Sequence, residues 1–265
     1  MKGFSMGLLD GKVGLVVGVA NDRSYAWHIA KAITEHGGQC AYSHIPGEKN
    51  ARRTGRAAAK IHADPTLYEC DAGSDESLDA LFESYSKDHD RLDFLVHSIA
   101  YADRDWLQMG KFVETPRKAY LEAIDISAYT LVAMANRARP LMAKGGGGSI
   151  MSMSYYGSEK VILGYNVMAV AKSCLETSTR YLANELGQDG IRVNTISGGY
   201  LRTLASTAVG GADGLEEEAI EKAPLRRTTK GSDVGSTAVY LASELSCGVT
   251  GENIYVDCGV NIIGA

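Results

Sequence analysis

Proline is scarce in this chain, which has 5 prolines and 30 glycines among its 265 residues. Disordered low-complexity segments are enriched in both residues together, so a chain of that kind is excluded. Collagen is excluded as well, because it requires glycine at every third position. The glycines are therefore expected at particular backbone positions of a folded protein, where a side chain would not fit.

Membrane, secretory and nucleic-acid-binding features are also missing. No apolar run reaches the roughly 18 residues that a membrane-spanning helix needs, and the first residues lack the apolar core of a secretory signal. The net charge of −5 argues against a nucleic-acid-binding protein, which would have a basic face. The five cysteines form no CxxC pair, which favours free thiols in a reducing compartment and hence a cytoplasmic protein.

Two classes of enzyme site are excluded by missing motifs. An α/β-hydrolase requires GxSxG and a histidine late in the chain, whereas all six histidines lie between positions 28 and 97. The sequence has no HExxH motif and no His/Cys cluster, so no metal site is expected.

Short apolar runs alternate with longer segments of helical periodicity along the whole chain. Strands are predicted at 13–17, 40–43, 67–70, 94–99, 149–153, 191–196 and 253–256. Helices are predicted at 24–36, 49–62, 77–87, 116–143, 165–186 and 233–244. Continuous apolar strands between helices are typical of parallel strands buried on both faces. We therefore predict an α/β fold: one Rossmann-like doubly wound domain over 1–265, with a seven-stranded parallel sheet and helices on both faces.

In such sheets the ligand binds at the carboxyl ends of the strands. After strand one, Gly18 and a helix beginning near Ser24 form either a pyrophosphate loop or an ordinary strand–helix turn, since the full GxGxxG motif is absent. No carboxylate follows strand two, so NAD cannot be deduced from that position. Asp71, after strand three, either accepts a hydrogen bond from adenine or caps the next helix.

Small residues at 98–100, after strand four, allow a flat ring to approach the backbone. His97 is expected to be an ordinary core histidine. Tyr165 and Lys172 are seven positions apart, which places them about 20° apart on one helix face. A nearby ammonium lowers the pKa of a phenol, so this pair is suited to donating a proton or stabilising an oxyanion beside a reacting carbonyl.

With these segments, the chain resembles the short-chain dehydrogenase/reductase superfamily. Within it, the chain resembles the enoyl-acyl carrier protein reductases of bacterial fatty-acid synthesis, over residues 7–264. The second tyrosine, Tyr155, together with YNVM and RTLA, is the most specific feature. The resemblance is carried by 18–26 (GVANDRSYA), 97–100 (HSIA), 125–127 (DIS), 154–157 (SYYG), 165–172 (YNVMAVAK), 192–194 (RVN) and 202–205 (RTLA).

The resemblance implies a hydride transfer from reduced nicotinamide to the β-carbon of a trans-2-enoyl thioester linked to acyl carrier protein. It implies NADH as the cofactor, with NADPH as an alternative. Catalytic roles fall on Tyr155, Tyr165 and Lys172, and substrate contacts on Ala102, Tyr155 and Tyr165. By position, cofactor contacts fall on Gly18, Ser24, Tyr25, Ile45, Asp71, Ala72, Ser98, Ile99, Ala100, Lys172, Leu201, Arg202, Thr203, Leu204 and Ala205.

The resemblance also implies a lid at about 203–221 and a homotetramer, with the apolar helix at 234–241 and the final strand as the expected contact. Four positions depart from the family pattern: Tyr25 stands where Ile is usual, His28 where Gly is usual, Ile45 where a polar residue is usual, and Tyr200 where Pro is usual. These departures leave two alternatives open. One is a related reductase of a specialised pathway, acting on another enone or a ketone, and the other is a nucleotide-binding module without catalysis.

Overall fold

The computed structural model of the protein describes residues 7–201 and 215–264. Its centre is a parallel sheet in the order β3-β2-β1-β4-β5-β6-β7. The middle strands are buried on both faces, as their continuous apolar sequences require; Leu15 and Val16 of β1, for example, are fully buried. The strands are β1 (Val13–Val17), β2 (Gln39–His44), β3 (Leu67–Glu69), β4 (Phe94–His97), β5 (Gly148–Ser154), β6 (Ile191–Gly198) and β7 (Asn253–Val256).

Helices cover both faces of this sheet, and each set of helices encloses its own apolar core. The helices are α1 (Tyr25–Glu35), α2 (Glu48–Ala58), α3 (Asp75–Asp88), α4 (Arg117–Ile124), α5 (Thr130–Lys144), α6 (Asn166–Leu186), α7 (Leu215–Lys222) and α8 (Gly231–Ala242). One core contains Leu78, Leu131 and Leu175 of α3, α5 and α6. The other contains Ile29, Ala57 and Val234 of α1, α2 and α8. The predicted doubly wound architecture is confirmed.

The helix expected over 116–143 is interrupted. Between α4 and α5 the chain makes a π-helical turn at Asp125–Tyr129, a wider turn that is frequent at functional sites. It directs the buried Ser127 hydroxyl towards Tyr101, where it accepts from the backbone amide (2.9 Å) and donates to the carbonyl oxygen (3.0 Å). The turn therefore anchors the loop that follows β4.

Helix α8 packs its apolar side into the chain's own core. Val234, Ala238 and Leu241 are buried, and the helix lies along α1, whose His28 carbonyl would be 2.8 Å from a Cβ at Gly235. These three apolar residues are thus accounted for within one chain, and the subunit contact expected on this helix stays a prediction. Within the described residues, no helix is both long and apolar enough to cross a bilayer.

Candidate active site

The strand order changes direction between β1 and β4, where doubly wound sheets bind their ligands. Gly18 follows β1 with φ of 105°, and a Cβ there would lie 2.1 Å from the carbonyl oxygen of Ser98, which follows β4. Both the left-handed backbone and the close approach require glycine. The crevice of the sheet is therefore built around Gly18.

Helix α1 opens directly onto this crevice. Ser24 caps it in an extended conformation and accepts from the amide of Trp27 at 3.3 Å, and the first turn contains no acidic residue. A helix N-terminus of this kind presents backbone amides and a partial positive charge to an anion. The glycine turn and the helix start have the geometry of a pyrophosphate site, and the contacts expected of Gly18 and Ser24 stay predictions.

The predicted adenine side lies at the ends of β2 and β3. The exposed Asp71 carboxylate accepts from the amide of Gly73 at 3.0 Å, and Ala72 is half-buried. The alternative in which Asp71 caps the next helix is wrong, because the cap of α3 is Ser74. Ile45 is 62% exposed at the end of β2, so an apolar side chain faces solvent there.

A carboxylate that the sequence did not indicate lies beside Ile45. Glu69, the last residue of β3, is in register with His44 of β2, and its Oε2 accepts from the backbone amide of Gly47 at 3.2 Å. The loop after β2 is where dinucleotide folds hold the adenine ribose. The negative charge that β2 lacks at this point is thus supplied by the neighbouring strand.

The segment after β4 lies in the same crevice. Ser98 and Ile99 are half-buried and Ala100 is exposed. His97 is fully buried, and its Nε2 lies 2.7 Å from the hydroxyl of Thr130. Burial lowers the pKa of His97 to about 3, and the charge of Lys172 adds to that effect. His97 is therefore neutral, in agreement with its interpretation as a core histidine.

Two tyrosines meet over a glycine where β5 ends. The rings of Tyr155 and Tyr165 lie with centroids 5.0 Å apart and planes at 73°, an edge-to-face geometry that aromatic pairs favour. A Cβ at Gly157 would lie 2.7 Å from Tyr165 and 3.2 Å from Tyr155. The pair therefore depends on glycine at this position, and the structure brings together the two tyrosines that the sequence selected.

Lys172 lies buried on α6, the helix that begins after Tyr165. Its Nζ donates to the carbonyl oxygen of Met153 in β5 at 2.7 Å. Burial lowers the pKa of the Lys172 ammonium from 10.5 to about 8, against the opposing effect of Glu176. The amine is thus still mainly charged near neutral pH, and it is fixed beside β5, the strand that Tyr155 directly follows.

The protonation of Tyr165 differs from the expectation. Burial raises the pKa of its phenol above the ordinary value of 10.0, and Tyr155 and Glu176 raise it further. The expected lowering of this pKa is wrong for this structure, because burial removes solvent from around the phenolate and so raises the pKa of Tyr165. Tyr165 keeps its proton at neutral pH and is suited to donate a hydrogen bond.

Glu176 was missed by the sequence reasoning, since a glutamate in mid-helix is usually a surface residue. Its buried carboxylate accepts from the hydroxyl of Ser154 and, at 2.7 Å, from that of Ser158. Ser173 adds a hydrogen bond to the carbonyl oxygen of Ser158, at 2.7 Å. The segment that carries Tyr155 is therefore fastened to α6 at both ends. Glu176 lies four positions after Lys172 on the same helix, and this spacing was the sequence signal that could have identified it.

The predicted substrate side is built by a loop packed on α6. Ala102 packs against a small core that contains Leu107 and Tyr165. Asn166, with φ of 41°, donates from Nδ2 to the carbonyl oxygens of Trp106 (2.8 Å) and Gln108 (2.7 Å). The residue after Tyr165 thus secures the loop beside it.

Some predicted cofactor residues lie outside the described residues: Arg202, Thr203, Leu204, Ala205 and the first part of the expected lid, 203–214. Leu201 and Tyr200 are described and half-buried. With Asp22, Arg23, His28, Glu216 and Thr228, they line a cavity of about 220 Å³ at the start of α1.

Two of the residues that depart from the family pattern, His28 and Tyr25, lie against glycines. The ring of His28 lies against α8, where a Cβ at Gly231 would be 2.1 Å from Cδ2 of the imidazole. Glycine on α8 thus provides the space that a small residue at 28 would otherwise provide. Tyr25, in the first turn of α1, lies against Gly198 at the end of β6.

Neutralising Glu176 is expected to change the pH dependence of activity. Glu176→Gln keeps the shape of the side chain and removes its charge, and an anion near an ammonium favours the protonated form. The pKa of Lys172 should then fall further below about 8, and the alkaline decline of kcat/KM should begin at lower pH. A pH profile of NADH oxidation measures this.

The matched control for this prediction is Glu185→Gln, on the exposed side of the same helix. It removes an equal charge and should leave the alkaline decline where the unmodified protein has it. An identical pH profile for Glu176→Gln and the unmodified protein would contradict the assigned charge coupling.

The doubly wound sheet, the anion-binding start of α1 and the Tyr–Lys site define a nicotinamide-dependent reductase of the Rossmann type. Residues 18–261 match the family described as Enoyl-(Acyl carrier protein) reductase. The chain belongs to this family. It is 45% identical over 260 residues to the Enoyl-[acyl-carrier-protein] reductase [NADH] FabI of Bacillus cereus, covering 98% of this chain and 100% of that protein.

Other relatives agree with this assignment. The enzyme of the same name from Synechocystis is 44% identical over 259 residues, covering 97% of this chain and 98% of that protein. The crystal structure of the Bacillus cereus reductase with NADP+ and indole naphthyridinone has a TM-score of 0.94 and 45% identity, covering 98% and 100% of the two chains. The crystal structure of the Anaplasma phagocytophilum reductase with NAD has a TM-score of 0.92 and 41% identity, covering 98% of this chain and 97% of that chain.

Proposed function

We propose that this protein is an enoyl-acyl carrier protein reductase of fatty-acid synthesis. It transfers a hydride from NADH to the β-carbon of a trans-2-enoyl thioester carried on acyl carrier protein. The observation that carries the proposal is the contact of Tyr155 and Tyr165 over Gly157. The buried Lys172 lies on α6, the helix that begins directly after Tyr165. NADH as the cofactor agrees with the names of these relatives, both of which specify NADH.

When bound, the reduced nicotinamide supplies the hydride. Gly18 and the first turn of α1 hold the pyrophosphate, and Lys172 holds the nicotinamide ribose through its ammonium. Tyr165 donates a hydrogen bond to the thioester oxygen, on which negative charge collects as the β-carbon is reduced. Tyr155 keeps the Tyr165 ring in place and lines the pocket, and Ala102 contacts the acyl chain. We assign the remaining cofactor contacts to the residues after β2, β3, β4 and β6 that the sequence predicted.

The direct test is NADH oxidation by the purified protein with crotonyl and longer trans-2-enoyl thioesters. A parallel panel of 3-ketoacyl thioesters tests the alternative of a ketone reductase. We expect turnover of the enoyl thioesters and little of the ketones. Ketone reduction without enoyl turnover would reverse this assignment, and absence of both, with either cofactor, would remove it.

Glu69 is expected to contribute to the preference for NADH. Its carboxylate adjoins the loop after β2, where the additional phosphate of NADPH would meet a negative charge. Repulsion between exposed charges is worth about 1 kcal/mol, so Glu69→Gln should raise kcat/KM for NADPH by about fivefold and change that for NADH little. Glu83→Gln, an exposed residue of α3, is the control. Equal cofactor ratios in the three proteins would show that Glu69 has no such role.

The proposal includes a single domain with a lid near 203–221, a homotetramer and a cytoplasmic location. All seven strands belong to one sheet, which supports one domain. Leu121 and Tyr129, on α4 and the turn after it, are 55% and 52% exposed, and we propose them as candidates for a subunit contact beside the helix at 234–241 and the final strand. The five free thiols support a reducing compartment. Light scattering with size-exclusion chromatography measures the assembly, and a monomer would contradict it.

A further inference from the structure

One hydrogen bond crosses the crevice between its two sides. The phenol hydroxyl of Tyr25, the first residue of α1, donates to the carbonyl oxygen of Gly199 at 2.7 Å. The hydroxyl end of the ring lies against the end of β6, where a Cβ at Gly198 would be 2.9 Å from Cε2 and Cζ of the tyrosine. The side chain is only partly exposed. Tyr25 thus joins the helix start after β1 to the strand end after β6, 174 positions further along the chain.

Gly199 is held on its other sides by elements at the far edge of the sheet. Its amide donates to the carbonyl oxygen of Val256 in β7 at 3.0 Å. A Cβ on it would lie 2.2 Å from the hydroxyl of Thr229 and 2.8 Å from the Cα of Asp257. These contacts fix Gly199 towards β7 and α8. Tyr25 supplies a contact from the opposite side, that of the pyrophosphate turn.

The backbone at this point depends on such contacts for its order. Two consecutive glycines, Gly198 and Gly199, precede Tyr200 and Leu201, and glycine restricts the backbone less than any other residue. The carbonyl and amide groups of these two glycines therefore gain the most order from a rigid hydrogen-bond partner. Burial raises the pKa of Tyr25 above 10.0, and Tyr155 adds to the rise, so the phenol keeps its proton and remains a donor across the physiological pH range.

We propose that Tyr25 is a positioning residue for the dinucleotide. Its hydroxyl sets the distance between the start of α1 and the end of β6 at Gly199, the two sides between which the dinucleotide of the proposed function would lie. This inference rests on the proposed function only in that NADH is the ligand of the crevice. A dinucleotide bound at both ends pays less ordering entropy when the two ends are already spaced correctly.

The test compares Tyr25→Phe with Tyr68→Phe in the full-length protein. Both changes remove one phenol hydroxyl that donates a hydrogen bond, to Gly199 in the first case and, at 2.8 Å, to Asp88 in the second. Tyr68 lies in β3, away from the β6 end. NADH affinity is measured by fluorescence titration without substrate, and hydrogen exchange is measured at the amides of Gly199 and Tyr200.

Tyr25→Phe should raise the Kd for NADH about three- to tenfold and accelerate exchange at Gly199 and Tyr200 by a similar factor, which is the usual effect of one lost hydrogen bond. In kinetics the change should appear mainly in KM for NADH. Tyr68→Phe should leave the Kd and these amides unchanged, although its melting temperature falls.

Two results would overturn the proposal. One is an unchanged Kd and unchanged exchange in Tyr25→Phe. The other is a lower melting temperature with an unchanged Kd, which would make Tyr25 structural only. The titration uses no thioester, so its outcome is distinguishable from failure of the enoyl-reductase assignment: a protein that binds NADH and reduces no enoyl thioester still tests Tyr25.

Discussion

Replacing Tyr165 by Phe is expected to lower kcat for enoyl-thioester reduction by about 10²- to 10³-fold, the usual effect of removing one oxyanion donor. The phenol keeps its proton because burial raises its pKa, so the lost group is a neutral hydrogen-bond donor. The ring itself remains, and its contacts with Gly157 and Tyr155 should hold the site in shape. Initial rates at saturating NADH and crotonyl thioester measure the effect.

Two controls show whether this loss is chemical. NADH affinity and circular dichroism should be retained in Tyr165→Phe, because Lys172 and the pyrophosphate turn are untouched. Tyr181→Phe removes a hydroxyl from an exposed tyrosine of the same helix and should leave kcat unchanged. If Tyr165→Phe kept more than about a tenth of the original kcat, the oxyanion role would have to be assigned to another donor.

The sheet and most helices were predictable because their signals are local. The apolar run at 13–17 is buried strand β1 with the same bounds, and the periodicity at 165–186 is α6. The π-helical turn at Asp125–Tyr129 was not predictable, because its sequence is compatible with a continuous helix. What accompanies it is a contact between Ser127 and Tyr101, two residues that lie 26 positions apart.

The residues of the candidate site also differ in whether local sequence signals could identify them. The spacing of Tyr165 and Lys172 is a property of one helix, so it can be read from the chain. Glu176 and Glu69 acquire their roles from partners on other elements, Ser154 and Gly47. Before folding, both glutamates are ordinary charged residues, and only the packing of strand on strand and helix on loop gives them a function.

The pKa of Tyr165 shows a further limit of sequence reasoning. The Tyr–Lys spacing suggests attraction between opposite charges, which lowers the pKa of a phenol. The extent of burial is set by the whole fold, and in this structure burial is the largest influence on the pKa of Tyr165 and raises it. The mechanism that we propose therefore uses a protonated phenol, a conclusion that spacing alone does not give.

Lys172→Met is expected to lower kcat/KM for NADH by about ten- to hundredfold, since it removes a charged hydrogen-bond donor of the ribose. Met has a similar length, so packing around α6 should be retained. Lys118→Met, an exposed lysine of α4, is the matched control and should behave like the unmodified protein. Lys172→Arg keeps the charge at all pH values, so its alkaline decline in kcat/KM should disappear even if its activity is lower.

The same substitution should alter how stability depends on pH. The folded pKa of Lys172 is about 8 and its ordinary value is 10.5, so between these values the unfolded chain binds more protons than the folded one. Stability of the unmodified protein then rises with pH across this window. Lys172→Met lacks that rise. Between about pH 8 and pH 10.5, the free energy of unfolding of the unmodified protein should therefore increase relative to that of Lys172→Met. A constant difference in urea titrations would show that the ammonium is not desolvated, and the loss of activity would then need another cause.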